Sequence, residues 1–301
     1  MLTRRAFVGS STAALALSTT APRRYRYAVC NETFDGQTFR ESCRLAKKTG
    51  YEGMEISPGT LAANPASLSV EQRRVIRVQM ADSGLRFAGL HSLVSAPTGL
   101  HLTTPDNALR TKSWEFFRKL IDLSADLGPH GVMVLGSGKQ RAAVDGSTVA
   151  DARARLQDGL ASLALHAGNR GVLLLLEPLS PQFTNVVNTL AEAAALVEEI
   201  GSPSVESMFD THNTVAETEA HDTLLRRYAS HIRHVHLNEL NGRHPGTGNY
   251  NFGLVLNTLR EIGYNGWVSL EVFQFKPTGE AIAQETMDVL KRLERAQEER
   301  R

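Results

Sequence analysis

Between residues 25 and 301 a short apolar run is followed by a stretch of helical periodicity eight times over. The runs are "YRYAVC" (25–30), "EGMEIS" (52–57), "LRFAGLHS" (85–92), "HGVMVLGS" (130–137), "VLLLLEPL" (172–179), "VESMFDTH" (205–212), "HIRHVHLNE" (231–239) and "WVSLEVFQ" (267–274). Short runs of this kind read as strands, and their alternation with helices demands parallel neighbours joined by right-handed crossovers. The "LLLL" at 173–176 fits only a strand buried on both faces. Eight units in about 280 residues predict a closed (β/α)8 TIM barrel forming one α/β domain. An open doubly wound sheet is the alternative, but "LGSGKQ" after the fourth run lacks the G-x-G-x-x-G spacing of a dinucleotide loop. No linker rich in Pro, Gly or Ser divides the chain. Ser69 is placed to cap the helix after the second strand, and Gly50 and Gly84 to end helices.

Residues 1–22 are set apart from the barrel, which is assigned 23–301. Arg4, Arg5 and Phe7 precede a mildly apolar stretch and small residues near Ala21. That order reads as an export signal of twin-arginine (Tat) type, implying periplasmic placement. The stretch is too short for a membrane span. A net charge of +1 spread over the chain gives no basic face for nucleic acid. Two cysteines, Cys30 and Cys43, are too few for a disulfide scaffold. They read as small buried hydrophobes, with a single disulfide as the other option.

Barrels of this kind carry their chemistry at the C-terminal ends of the strands. Those ends hold Glu55, His91, Gly136, Glu177, Asp210, His236 and Glu271, with Asn31 after the first strand. Glu177, Asp210 and Glu271 each follow apolar residues, where a carboxylate is costly to bury unpaired. Three carboxylates and an imidazole at one mouth repel one another unless a cation sits among them. Oxygen donors with one nitrogen suit Mn2+ first, with Mg2+, Co2+ and Zn2+ as the other ions. No cysteine stands at a position that would make a structural zinc knot.

"LEPLSP" (176–181), "FDTH" (209–212), "HVH" (234–236) with "GRHPGTG" (242–248), and "LEV" (270–272) together resemble the xylose isomerase-like TIM barrel superfamily. Within it the chain is most similar to the sugar isomerase/epimerase branch. The resemblance implies one divalent cation held by Glu177, Asp210, His236 and Glu271. It implies that Glu177 and Glu271 act as an acid/base pair on a sugar through a metal-stabilised enediolate. It also implies that His91, His212, Arg243 and His244 hold substrate oxygens. His234 shares strand parity with His236 but lies deeper, and is read as a core-facing polar residue. Enzymes of this likeness are often homo-oligomers.

Three departures from the branch bear on substrate rather than metal. Phe183 stands where the branch usually carries a second glutamate, six residues beyond the first. His212 falls two residues after Asp210, where the branch places a histidine three after. Gly136 and Gly242 occupy positions that the DNA-repair members fill with histidine and aspartate, so nucleic acid is not the expected partner. The expectation is a metal-dependent sugar isomerase or epimerase. A lyase or dehydratase acting on a keto-sugar, inosose or 3-keto-glycoside at the same site is the first alternative, and a non-catalytic sugar-binding barrel the second. With no phosphate loop, a phosphorylated substrate is not expected.

Overall fold

The computed structural model describes residues 25–299. The segment read as an export signal, 1–22, lies outside them. Eight strands close a barrel in chain order: β1 (Arg26–Cys30), β2 (Gly53–Ile56), β3 (Arg86–Leu90), β4 (Val132–Leu135), β5 (Leu173–Leu176), β6 (Val205–Asp210), β7 (Ile232–Leu237) and β8 (Trp267–Leu270). Every neighbouring pair is parallel, and β8 pairs with β1 to shut the ring. All eight fall inside the apolar runs, so the single (β/α)8 TIM barrel is the observed fold.

The helices are α1 (Phe39–Thr49), α2 (Val70–Asp82), α3 (Asn107–Leu127), α4 (Gly138–Arg141), α5 (Val149–Asn169), α6 (Leu190–Ile200), α7 (His221–Arg227), α8 (Phe252–Glu261) and α9 (Gly279–Glu298). Capping boxes start three of them: Ser69 with Gln72, Thr148 with Asp151, and Thr189 with Glu192. In each, a side-chain oxygen satisfies a backbone N–H that the helix leaves unpaired. The one-turn α4 is not anticipated by the sequence reading; it follows β4 directly and contributes to the barrel's mouth. No helix of the described residues is long and apolar enough to cross a membrane.

The main core lies between the strands' outer faces and the helices. Two smaller clusters fill the barrel itself: Ala28, Ala88 and Trp267 near the strand starts, and Val132, Val134, Leu175 and Met208 around β4 to β6. Gly53 is glycine for a steric reason, because a Cβ there would come within 2.9 Å of the Trp267 ring. Cys30 and Cys43 are buried free thiols, as the small-hydrophobe reading expects. Above this apolar floor the inward positions turn polar, and the chemistry begins there.

Candidate metal centre

Glu177 follows β5, Asp210 ends β6, His236 lies in β7 and Glu271 follows β8. Asp210 and His236 are register partners on adjacent strands. One donor atom from each of the four side chains lies within 4.8 Å of the other three, and all four residues are buried. Opposite ligands of a single Mg2+-sized ion stand about 4 Å apart, so one cation can serve this set.

The chemistry of the donors fits a cation. His236 Nε2 pairs with Glu55 Oε1 at 3.0 Å, which turns Nδ1 toward the carboxylates. Nδ1 is buried without a hydrogen bond, although Glu271 Oε2 is 3.0 Å away. A Cβ at Gly136 would come within 2.3 Å of Glu177 Oε2, so the glycine keeps room beside that oxygen. Burial, then the charges of Glu271 and Asp210, push the Glu177 carboxyl well above the usual carboxylate range. Burial and Glu271 raise Asp210 in the same way. Burial alone would lower His236, but the Glu55 and Glu271 carboxylates outweigh it and raise it well above an ordinary imidazole. Glu271 runs the other way: burial is outweighed by His236 and His91, which hold it ionised.

These directions set a sign. Glu177 and His236 keep protons that an incoming divalent ion must displace, so uptake should release protons and affinity should rise with pH. Calorimetry in two buffers of different ionisation enthalpy measures the release. Affinity independent of pH, with no protons released, would contradict this account.

Glu55, in β2, is a central residue whose role its place in the sequence does not reveal. It is completely buried. Its Oε2 meets His234 Nε2 at 2.9 Å while Oε1 holds His236. His234 is therefore the deeper, core-facing histidine expected. His91 is also buried and sets its Nδ1 3.1 Å from Glu271 Oε1, with Glu32 Oε2 3.3 Å from its Nε2. Burial would lower His91, but Glu32 and its neighbours raise it to about 9. It lines the cavity, yet its nearest partner is the Glu271 carboxylate.

The cavity above the donors encloses about 630 Å³ of space open to solvent. Glu177, Glu271, His91 and Asn213 line its polar floor, with Ser137, Lys139 and Gln140 on one side and Leu179, Phe183 and Phe273 among the apolar lining. Ser137 takes a left-handed backbone conformation (φ 42°), and its Oγ accepts from the Val94 amide at 3.3 Å. Such backbone strain in a non-glycine residue clusters at functional sites.

The substrate-holding set expected from the resemblance is only partly assembled. His212 is not among the cavity-lining residues; its Nδ1 lies 3.0 Å from the Glu239 carbonyl and its ring sits against Phe183 and Phe273. The next residue, Asn213, reaches the cavity instead, donating to Asp210 Oδ2 at 2.7 Å and Glu177 Oε1 at 3.2 Å. Its place three residues after Asp210 is the signal that could have found it. His244 turns away to Glu285 of α9, 2.9 Å from Nε2, because that helix offers a carboxylate to a buried ring. Arg243 is likewise absent from the cavity wall, and its carbonyl accepts from the Glu239 amide.

The mouth of this closed (β/α)8 barrel gathers three buried carboxylates and an imidazole closely enough to share one cation. The chain belongs to the xylose isomerase-like TIM barrel family, whose sequence profile matches residues 43–293, and within it to the sugar epimerase branch. It is 28% identical over 243 residues to L-ribulose 3-epimerase of Mesorhizobium japonicum, covering 80% of this chain and 77% of that protein. It is 30% identical over 229 residues to D-psicose 3-epimerase of Agrobacterium fabrum, covering 75% and 76%. The solved structure of 3-keto-D-glucoside 4-epimerase from E. coli shares the fold, with TM-score 0.76 and 20% identity over 90% of this chain and 99% of that one.

Proposed function

We propose that the protein is a divalent-metal-dependent epimerase of keto-sugars, with Glu177 and Glu271 as its two proton-transfer groups. The observation that carries this reading is the gathering of Glu177, Asp210, His236 and Glu271 into one buried donor set with both glutamates facing the cavity. A cation held by those four, Mn2+ first among the candidates, would polarise a substrate carbonyl and its neighbouring hydroxyl and so acidify the adjacent C–H.

The glutamates follow β5 and β8, three strands apart around the ring, so they reach the cavity from different sides. One removes the proton from carbon, and the other returns a proton to the opposite face. In the reverse direction the roles exchange. His91 fixes one Glu271 oxygen, and Asn213 fixes one oxygen each of Asp210 and Glu177, so that the carboxylates meet substrate in one orientation. Removing substrate from water behind Leu179 and Phe183 strengthens each of these polar contacts.

The test is incubation of the Mn2+-loaded protein with ketohexoses and keto-glycosides in D2O. The expected result is one deuterium at the carbon next to the carbonyl, with appearance of the epimer and loss of both on chelation. Release of water or aglycone in place of the epimer would replace this reading with elimination. Tight sugar binding without exchange, indifferent to chelator, would make the protein a binding barrel.

A further inference from the structure

Phe183 and Phe273 stand at the mouth of an otherwise polar cavity, and they remain 39% and 47% exposed. Phe183 comes from the loop after β5 and Phe273 from the segment after β8, yet their ring centroids are 6.4 Å apart and tilted by 36°. Both rest on the buried His212 ring, at 5.9 Å and 4.9 Å. That imidazole is fixed from below by the Glu239 carbonyl.

The backbone holds the pair in place. The Phe183 amide donates to the Ser180 carbonyl at 2.9 Å, and the Phe273 amide to the Gly242 carbonyl at 2.9 Å. A Cβ at Gly138 would sit 2.6 Å from the Phe183 carbonyl oxygen, and one at Gly242 would sit 3.2 Å from the Phe273 Cβ. Two glycines thus allow the loops to press close and bring the two phenyl rings together. Covering the faces still exposed would be favourable.

We propose that Phe183 and Phe273 form a stacking subsite for a second ring carried by the substrate, so that the protein prefers a glycoside of a keto-sugar to the free sugar. The inference rests on the epimerase reading for the position of the reacting ring, which must lie on the floor between Glu177 and Glu271. What that ring carries outward meets the phenyls. A free sugar has no second ring with which to cover them. A glycosidically linked ring presents an apolar face to the phenyls and leaves its polar edge to Ser137, Lys139 and Gln140.

The test uses inert probes, so that it does not depend on proton abstraction. Calorimetric titration of the Mn2+-loaded full chain compares glucose with phenyl β-D-glucoside and cellobiose, which separate an aryl aglycone from a second sugar. At least one two-ring probe should bind about tenfold tighter than glucose, and F183A and F183E should bring it back to within about threefold of glucose. F183L keeps apolar bulk without a ring and should lose most of the preference. Metal content and thermal unfolding of each variant establish that it is folded. Equal binding of all three probes, failure of both two-ring probes to bind, or a preference that survives F183A overturns the subsite. So does an F183A variant that breaks up an oligomer without changing probe preference, since the phenyls would then be covered by a second copy. A probe preference without deuterium exchange would remove the epimerase reading alone.

Discussion

Glu271→Gln should abolish epimerisation, with a fall in kcat of about a thousandfold or more at saturating Mn2+, the scale of losing a positioned general base. Glutamine keeps the side chain's volume and one oxygen donor, so part of the metal affinity should remain. What it loses is the capacity to take a proton. It also presents an amide to His91 and His236, which now hold the carboxylate ionised. If two glutamates work opposite faces, the exchange experiment separates them. Glu271→Gln should stop deuterium exchange from the epimer whose C–H faces Glu271 while leaving some exchange from the other, and Glu177→Gln should show the reverse. The double variant should be little worse than either single one in epimerisation, because groups that act as a unit are not additive. Wild-type turnover in Glu271→Gln would remove the two-glutamate scheme. Loss of exchange from both epimers in one variant, with both retained in the other, would point to a single base.

Different physics explains which features were legible in the chain. The strands were readable because a barrel strand is short and apolar on both faces, and Leu174, Leu175 and Leu176 are indeed fully buried. The three carboxylates among the candidate ligands were readable because a carboxylate after such a run has little reason to exist unless something charged meets it. The substrate wall follows no such periodicity. His212 and Asn213 are neighbours in one turn, both buried, and the direction of each is decided when Asp210 Oδ1 accepts the His212 amide at 2.7 Å. His244 is captured by Glu285, 41 residues away on the last helix, and no local pattern announces that contact. Glu55 was visible, but its role depends on two β7 histidines reaching across the barrel to β2, which pairing with sequence neighbours does not suggest.

That crossing makes Glu55 the second residue whose loss should be large, although it is not in the four-residue donor set. It is a buried carboxylate held ionised by two imidazoles: burial would raise it, and the charges of His234 and His236 outweigh burial and take it well below the usual range. In Glu55→Ala two histidines lose their partner in a water-free interior. Breaking a buried pair in this way costs about 3–5 kcal/mol, so the variant should unfold at distinctly lower urea concentration or fail to accumulate. Glu55→Gln is the sharper probe because it keeps the packing. Its carboxamide has one acceptor oxygen where the carboxylate has two, so one imidazole must face an NH2 group. If that is His236, its Nε2 becomes the acceptor and the ring proton moves to Nδ1, the atom turned toward the carboxylates. An Nδ1 carrying a proton cannot bind a cation, and Mn2+ affinity should fall by about 10–100-fold, the range for lost partners of a metal-binding histidine. If the amide faces His234 instead, affinity should be nearly unchanged and only stability should drop. Mn2+ titration and urea unfolding of the same preparation decide between the two. Unaltered affinity together with unaltered stability would mean that Glu55 neither orients His236 nor supports the barrel's interior.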